Sequence, residues 1–145
     1  MPIHGDGGHA AVIKEFYVDC GGWIIAVGDN RARQRESLKY TNFAIAIHES
    51  AIISPSAAIG EGTVIMAGAI VQARARIGKH VILNSNSVVE HDCVIGDYAH
   101  IAPGVHLCGG VQVGAGALIG VGSSVVPGAT VLSWSVVRAG SVIVK

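Results

Sequence analysis

From Ile53 onward every sixth residue is aliphatic, and this one regularity limits what the chain can fold into. Stepping by six from Ile53 meets Ile59, Ile65, Val71, Ile77, Leu83, Val89, Ile95, Ile101, Leu107, Val113, Ile119, Val125, Val131, Val137 and Ile143, sixteen positions without a gap. Four residues after each comes a small or compact side chain, from Ala57, Thr63 and Ala69 through Cys93 and Ala99 to Ser135 and Ser141. A period of six belongs neither to an α-helix nor to a hairpin strand. It is the hexapeptide signature of a β-helix. Three hexapeptides close one triangular coil. The aliphatic residue points inward, and the small residue turns inward near a corner that has no room for more. Each coil hydrogen-bonds to those above and below, so only the ends leave open strand edges. The composition agrees, with 50% apolar residues, 5% aromatic residues and 20 glycines.

The corner itself falls three residues after each aliphatic position. In the C-terminal half it is Gly104, Gly110, Gly116, Gly122, Gly128 and Gly140, with Trp134 the exception. Glycine tolerates the positive φ of a tight corner. In the middle coils the same position holds Arg74, His80, Asn86, Asp92 and Tyr98. Those residues forgo the easy solution, which marks the middle coils as selected for more than folding.

Residues 1–47 read differently and are expected to form a separate small domain before the β-helix of 48–145. Pro2 to His4 is a short apolar lead into Gly5-Asp6-Gly7-Gly8-His9. A helical pattern follows through Ala11, Val12, Glu15 and Phe16. Trp23 to Val27 reads as a buried strand ended by Gly28-Asp29-Asn30, Arg31 to Leu38 as a short polar helix, and Phe43 to Ile47 as another strand. This is the order of a nucleotide-binding α/β unit in abbreviated form, because Val18 to Gly22 leaves room for little beyond a turn.

Several function classes fall away. Net charge is +0, and no basic run interleaves with aromatics, so a nucleic-acid partner is not expected. No apolar run approaches the roughly 20 residues of a membrane span, and no signal-like core follows a basic N-terminus. Cys20, Cys93 and Cys108 are odd in number and form no C-x-x-C pair, which argues against a disulfide framework or structural zinc and fits a reducing, cytoplasmic setting. High apolar content without a membrane segment points to an extensive oligomer interface.

The stretch Asn84 to Val105 gathers the chemistry, with Glu90, His91, Asp92, Asp97, Tyr98 and His100. His91 lies two residues after inward Val89 and so projects outward near a corner. Asp92 follows it and can orient the imidazole and raise its basicity. His100 directly precedes inward Ile101 and points out from a side. It is half a coil from His91, so a site using both needs a second subunit. Spacings of 11, 9 and 6 between His80, His91, His100 and His106 do not stack a ligand set on one face. That argues against a zinc lyase of the carbonic-anhydrase type, and no metal is expected. His106 reads as an interface or solvent residue. Arg74, Arg76 and Lys79 read as a solvated face, with attraction of phosphates as the alternative.

The motifs Gly5-Asp6-Gly7-Gly8-His9, Ala26-Val27-Gly28-Asp29-Asn30, Ser54-Pro55-Ser56-Ala57 and above all Glu90-His91-Asp92-Cys93-Val94-Ile95-Gly96-Asp97 resemble the PglD/NeuD family of bacterial sugar acetyltransferases. The resemblance implies a mainly β fold, a left-handed parallel β-helix preceded by a small Rossmann-like α/β domain, assembled as a homotrimer with active sites between subunits. It implies acetyl-CoA as cosubstrate and a nucleotide-linked amino sugar of the UDP-4-amino-4,6-dideoxy-N-acetylglucosamine type as acceptor, in glycan biosynthesis. It further implies His91 as general base with Asp92 as its partner, a CoA site lined by His100, Gly109, Val121 and Ala139 with the Gly109 amide facing the oxyanion, and a nucleotide-sugar site bordered by Gly7, Gly8, His9, Gly28 and Asn84. The family's second N-terminal strand, with the acidic turn after it, and its closing arm past the position of Lys145 are missing from this pattern. O-acetylation of sialic acid or another sugar, and a non-catalytic trimeric scaffold, are the competing readings.

Overall fold

The structure is a computed structural model that describes residues 2–17 and 21–145. Cys20 and most of the turn expected over Val18 to Gly22 lie outside the described residues. Two-residue strands from β3 (Ala46–Ile47) to β19 (Val142–Ile143) form three parallel sheets of 6, 5 and 6 strands. Every strand pairs with those one coil away. In β10 (Val88–Val89), Val88 lies beside Ile70 and His106, and Val89 beside Val71 and Leu107. These are the coils of a left-handed parallel β-helix.

All sixteen periodic aliphatics occupy the second, inward position of a strand. Those from Ile65 to Val131 are at most 5% exposed. Their compact companions, Thr63, Ala69, Ala75, Val81, Ser87 and onward to Ala129, are buried beside them. Burying each aliphatic side chain contributes roughly 1.5–3 kcal/mol, repeated at every level, so the prism is held by its own interior. Toward the ends Ile53, Ile59, Val137 and Ile143 are only partly buried, because no further coil covers them.

The corners form three edges running along the prism. Arg74, Asp92, Gly110 and Gly128 stack on one, called here the histidine edge because His91 adjoins it. Gly68, Asn86, Gly104, Gly122 and Gly140 stack on a second, the glycine edge. Gly62, His80, Tyr98, Gly116 and Trp134 stack on the third. All of these take positive φ, including the six that are not glycine, with φ of 61 at Arg74, 53 at His80, 56 at Asn86, 62 at Asp92 and Tyr98, and 58 at Trp134. Left-handed backbone at a residue with a Cβ costs roughly 1–2 kcal/mol, so each such residue needs a separate justification. His80, Tyr98 and Trp134 have a shared one: their edge is where the N-terminal unit docks.

That unit contains β1 (Ile3–His4), α1 (Gly8–Phe16), β2 (Ile24–Ile25) and α2 (Asn30–Ser37). β1 and β2 run parallel, and Trp23 bridges Phe43, also in parallel. The short apolar lead at Pro2 to His4 thus becomes the first strand of an abbreviated α/β unit. Two expectations shift. Helix α1 buries Ala10 and Ile13, while Val12 is 48% exposed, because the helix starts at Gly8 and its apolar stripe is set from there. Phe43 to Ile47 is also not one strand. Phe43 stays with the N-terminal unit, whereas Ala46 and Ile47 pair with Val64 and Ile65 as the first rung of the prism. Ile47 lies six residues before Ile53, so the hexapeptide register captures it. Ala10, Ile13, Ile24 and Ala26 then pack on the outward side chains of Ala46, Val64 and Met66 to form a second, smaller core.

Candidate active site

At the histidine edge, Nδ1 of His91 lies 2.7 Å from Oδ2 of Asp92. A carboxylate only accepts, so Nδ1 carries the hydrogen and the lone pair of the neutral ring is on Nε2. Arg74, one coil earlier, grips the same carboxylate with both arms, Nε donating to Oδ1 at 2.7 Å and an Nη2 hydrogen to Oδ2 at 2.9 Å. Those two partners, Arg74 first and His91 second, hold the Asp92 carboxyl well below the usual carboxylate range. Arg74 was expected on a solvated face. It is exposed, but it is not idle. One coil later comes Gly109, and a Cβ built there would lie 2.7 Å from both Cε1 and Nε2 of the His91 ring. The bare Gly109 backbone therefore faces the basic nitrogen, and the Gly109 N–H finds no acceptor among the described residues. Gly109 has no positive φ, so alanine is backbone-compatible. A Gly109→Ala protein should fold with an unchanged thermal midpoint but with the His91 ring swung off Asp92. Melting curves and the magnetic-resonance shifts of the ring check this.

The remaining candidates cluster elsewhere. A cleft of about 380 Å³ opens between Gly5-Asp6-Gly7-Gly8-His9, at the start of α1, and Ala26-Val27-Gly28, at the end of β2. His100 lies close to Gly28, whose backbone acts on its ring. Asn84 Nδ2 lies 3.1 Å from Nε2 of His100. An amide nitrogen only donates, so the ring accepts there and is neutral. Burial, then the charge of Arg33, lower His100 to a pKa of about 4, and the same two causes lower His9 to about 4. His9 Nε2 is buried and finds no hydrogen-bond partner among the described residues. Val121 and Ala139 adjoin the glycine edge on successive coils, where Gly140 N–H donates to the Val121 carbonyl at 2.8 Å. Val121 is exposed, as is Ala139. The structure therefore brings Gly7, Gly8, His9, Gly28, Asn84 and His100 together, and sets Val121 and Ala139 on an edge that His91, Asp92 and Gly109 do not share.

Sequence reasoning missed the group that fixes the cleft to the prism. Arg33 of α2 is 1% exposed. Its Nε donates to the His80 carbonyl at 2.8 Å. Nη1 donates to the carbonyls of Val27 at 3.0 Å and Gly28 at 3.1 Å. Nη2 donates to Asn30 Oδ1 at 2.8 Å and to the Tyr98 carbonyl at 2.7 Å. All five N–H groups are thus engaged, largely by backbone. Burial brings its pKa down to about 10, with Asp29 and Tyr98 opposing, so it stays cationic. Around it Asn30 Nδ2 donates to the Gly116 carbonyl at 3.0 Å. Ser37 Oγ meets the Tyr98 hydroxyl at 2.9 Å. His80 and Tyr98 stack with centroids 5.2 Å apart, and Arg31 lies 4.4 Å over Trp134. Among the described residues, no three His, Cys, Asp or Glu side chains converge as metal ligands.

Comparisons with known proteins fit this geometry. The family described as bacterial transferase hexapeptide (six repeats) matches residues 56–91 and 74–109. PerB from Caulobacter crescentus, solved in complex with CoA and GDP-perosamine, is 36% identical, with 99% of this chain and 87% of that chain covered and a TM-score of 0.93. The acetyltransferase domain of PglB from Neisseria gonorrhoeae is 31% identical, with 98% and 89% covered and a TM-score of 0.92; it has also been solved with acetyl coenzyme A. No curated protein sequence matches the chain.

Proposed function

Since this chain belongs to the PglD/NeuD family of hexapeptide-repeat acetyltransferases and is an acetyl-CoA-dependent sugar N-acetyltransferase, we propose that its acceptor is the amine of a nucleotide-linked 4-amino-4,6-dideoxy sugar and that His91 takes the amine's proton. The observation that carries this reading is the tautomer of His91. With Nδ1 held by Asp92, the free lone pair points past Gly109.

Acetyl-CoA supplies an acyl group already activated as a thioester. As the new nitrogen–carbon bond forms and the carbon–sulfur bond breaks, His91 Nε2 takes the proton the amine loses and returns it to the leaving sulfur. The Gly109 N–H donates to the carbonyl oxygen as negative charge develops on it. Asp92 keeps the ring in the required tautomer and balances its charge when protonated. The division of candidates between two edges supports a shared site. The histidine edge of one copy meets the glycine edge and the cleft of the next, with Val121 and Ala139 along the CoA and Gly7, Gly8, His9, Gly28 and Asn84 around the nucleotide sugar; His100, expected along the CoA, is reassigned to the sugar side because it adjoins Gly28 and Asn84. A trimer of such copies has three equivalent sites.

The test is direct. Purified protein is incubated with acetyl-CoA and a panel of UDP- and GDP-linked 4-amino sugars, the GDP arm because PerB was crystallised with GDP-perosamine. Free thiol and product mass are followed. Acetylation of one amino sugar, with no transfer to the matching 4-hydroxy sugar, is expected. Failure to bind acetyl-CoA by calorimetry, or transfer to hydroxyl acceptors alone, would overturn it.

A further inference from the structure

Arg74 and Asp92 occupy consecutive levels of the histidine edge, both in the left-handed region with φ of 61 and 62. Glycine fills the next two levels, at Gly110 and Gly128, and would serve here as well. Arginine is an unusual choice for such backbone. Nor does the pair add much to the fold, since its side chains are 65% and 44% exposed and exposed ion pairs contribute little. What the arrangement does provide is geometry. Ser56 Oγ accepts the Arg74 backbone N–H at 3.1 Å, and the guanidinium fork then meets both carboxylate oxygens. Oδ2 is shared, receiving Arg74 Nη2 at 2.9 Å and His91 Nδ1 at 2.7 Å.

We propose that Arg74 is a positioning residue for acetyl transfer: it locks the Asp92 carboxylate onto Nδ1 of His91 and withholds part of the carboxylate's charge from the ring. This rests on reading His91 as the base. Two opposed effects follow. A gripped carboxylate cannot rotate away, so the ring stays in the productive tautomer. A carboxylate shared with a guanidinium also presents less net negative charge to the ring than a free one. Among the described residues, the charged groups facing the ring are Arg74 from the preceding coil and Asp92 itself, with Glu90 beside it in the chain. The following coil brings only Gly109 and Gly110, and the nearby thiol of Cys93 donates to the Cys108 carbonyl at 3.1 Å.

The experiment is a set of pH profiles of kcat and kcat/KM for the wild type, Arg74→Gln, Arg74→Lys, Asp92→Asn and His91→Ala. Arg74→Gln should lower kcat about tenfold, leave both KM values within about twofold, and displace the acid limb of the profile upward, because a positive charge two bonds of the network away is removed. Asp92→Asn should move that limb the opposite way. Arg74→Lys keeps the charge but cannot fork, so its limb stays in place while kcat falls. Thermal midpoints should not change. An Arg74→Gln enzyme with wild-type kcat, or with reduced kcat and an unmoved limb, overturns the proposal. Full turnover by His91→Ala instead sinks the reading of His91 as the base, a separate failure.

Discussion

A His91→Ala enzyme should lose about 10²- to 10⁴-fold in kcat, the usual worth of a positioned general base, while melting where the wild type does. The two halves of that expectation come from the same geometry. His91 is 57% exposed in its side chain and its hydrogen-bond partner is Asp92, which keeps Arg74 when the ring is gone. No interior contact of the prism is touched. Acetyl-CoA should still bind calorimetrically, because Gly109, the CoA candidate beside the lost ring, offers only backbone, while Val121 and Ala139 adjoin a different edge. His91→Asn is the stricter comparison, as it retains a polar group of similar reach without a base. Thiol-release rates across both variants, at a pH on the plateau of the wild-type profile, decide the matter. Turnover within threefold of wild type in either would remove His91 from the mechanism.

The second large effect concerns stability rather than turnover. Arg33→Met fills a similar volume but leaves the carbonyls of Val27, Gly28, His80 and Tyr98 without their donor. Buried acceptors left unpaired cost about 1–3 kcal/mol each. With relaxation and water entry, a loss on the order of 3–5 kcal/mol is expected at the junction. The prism has its own interior and should keep its far-ultraviolet signal. Trp23 and Trp134 both report on the N-terminal unit, one beside Phe43 and the other under Arg31, so the fluorescence transition should separate from the circular-dichroism transition and precede it. KM for the nucleotide sugar should rise, with acetyl-CoA affinity unchanged.

Acid should act on the same joint in the wild type. His9, His80 and His100 are lowered to about 4 from the ordinary 6.5, by burial first and Arg33 second. Their folded values lie below the unfolded one, so between those limits the unfolded chain binds more protons. The stability they contribute is complete above about pH 6.5 and is lost as pH falls towards 4. Fluorescence melts at successive pH values should show the junction weakening through that window. A junction transition that stays constant down to pH 4 would contradict it.

How much of this was readable depended on whether a contact respected the six-residue period. Every inward aliphatic and every non-glycine corner of the prism stands where the spacing put it, because the period is the packing. Arg74 could have been assigned by the same logic: it precedes Asp92 by one coil at the same corner, which is a neighbour in the prism. Arg33 could not. It sits in Asn-Arg-Ala-Arg-Gln-Arg-Glu-Ser, a segment that reads as solvent-facing, and its acceptors on the prism are backbone carbonyls 47 and 65 residues away. No side-chain pattern advertises a carbonyl. The split of Phe43 to Ile47 shows the same rule from the other side, since Ile47 obeys the period and Phe43 does not.

Because residues adjoining one another along an edge are a whole coil apart in sequence, while residues adjoining in sequence around a corner face different directions, the three edges are nearly independent of one another. Under the proposed assignment, substitutions lining the cleft and substitutions on the histidine edge of one copy should act through separate edges and meet only where two copies pack.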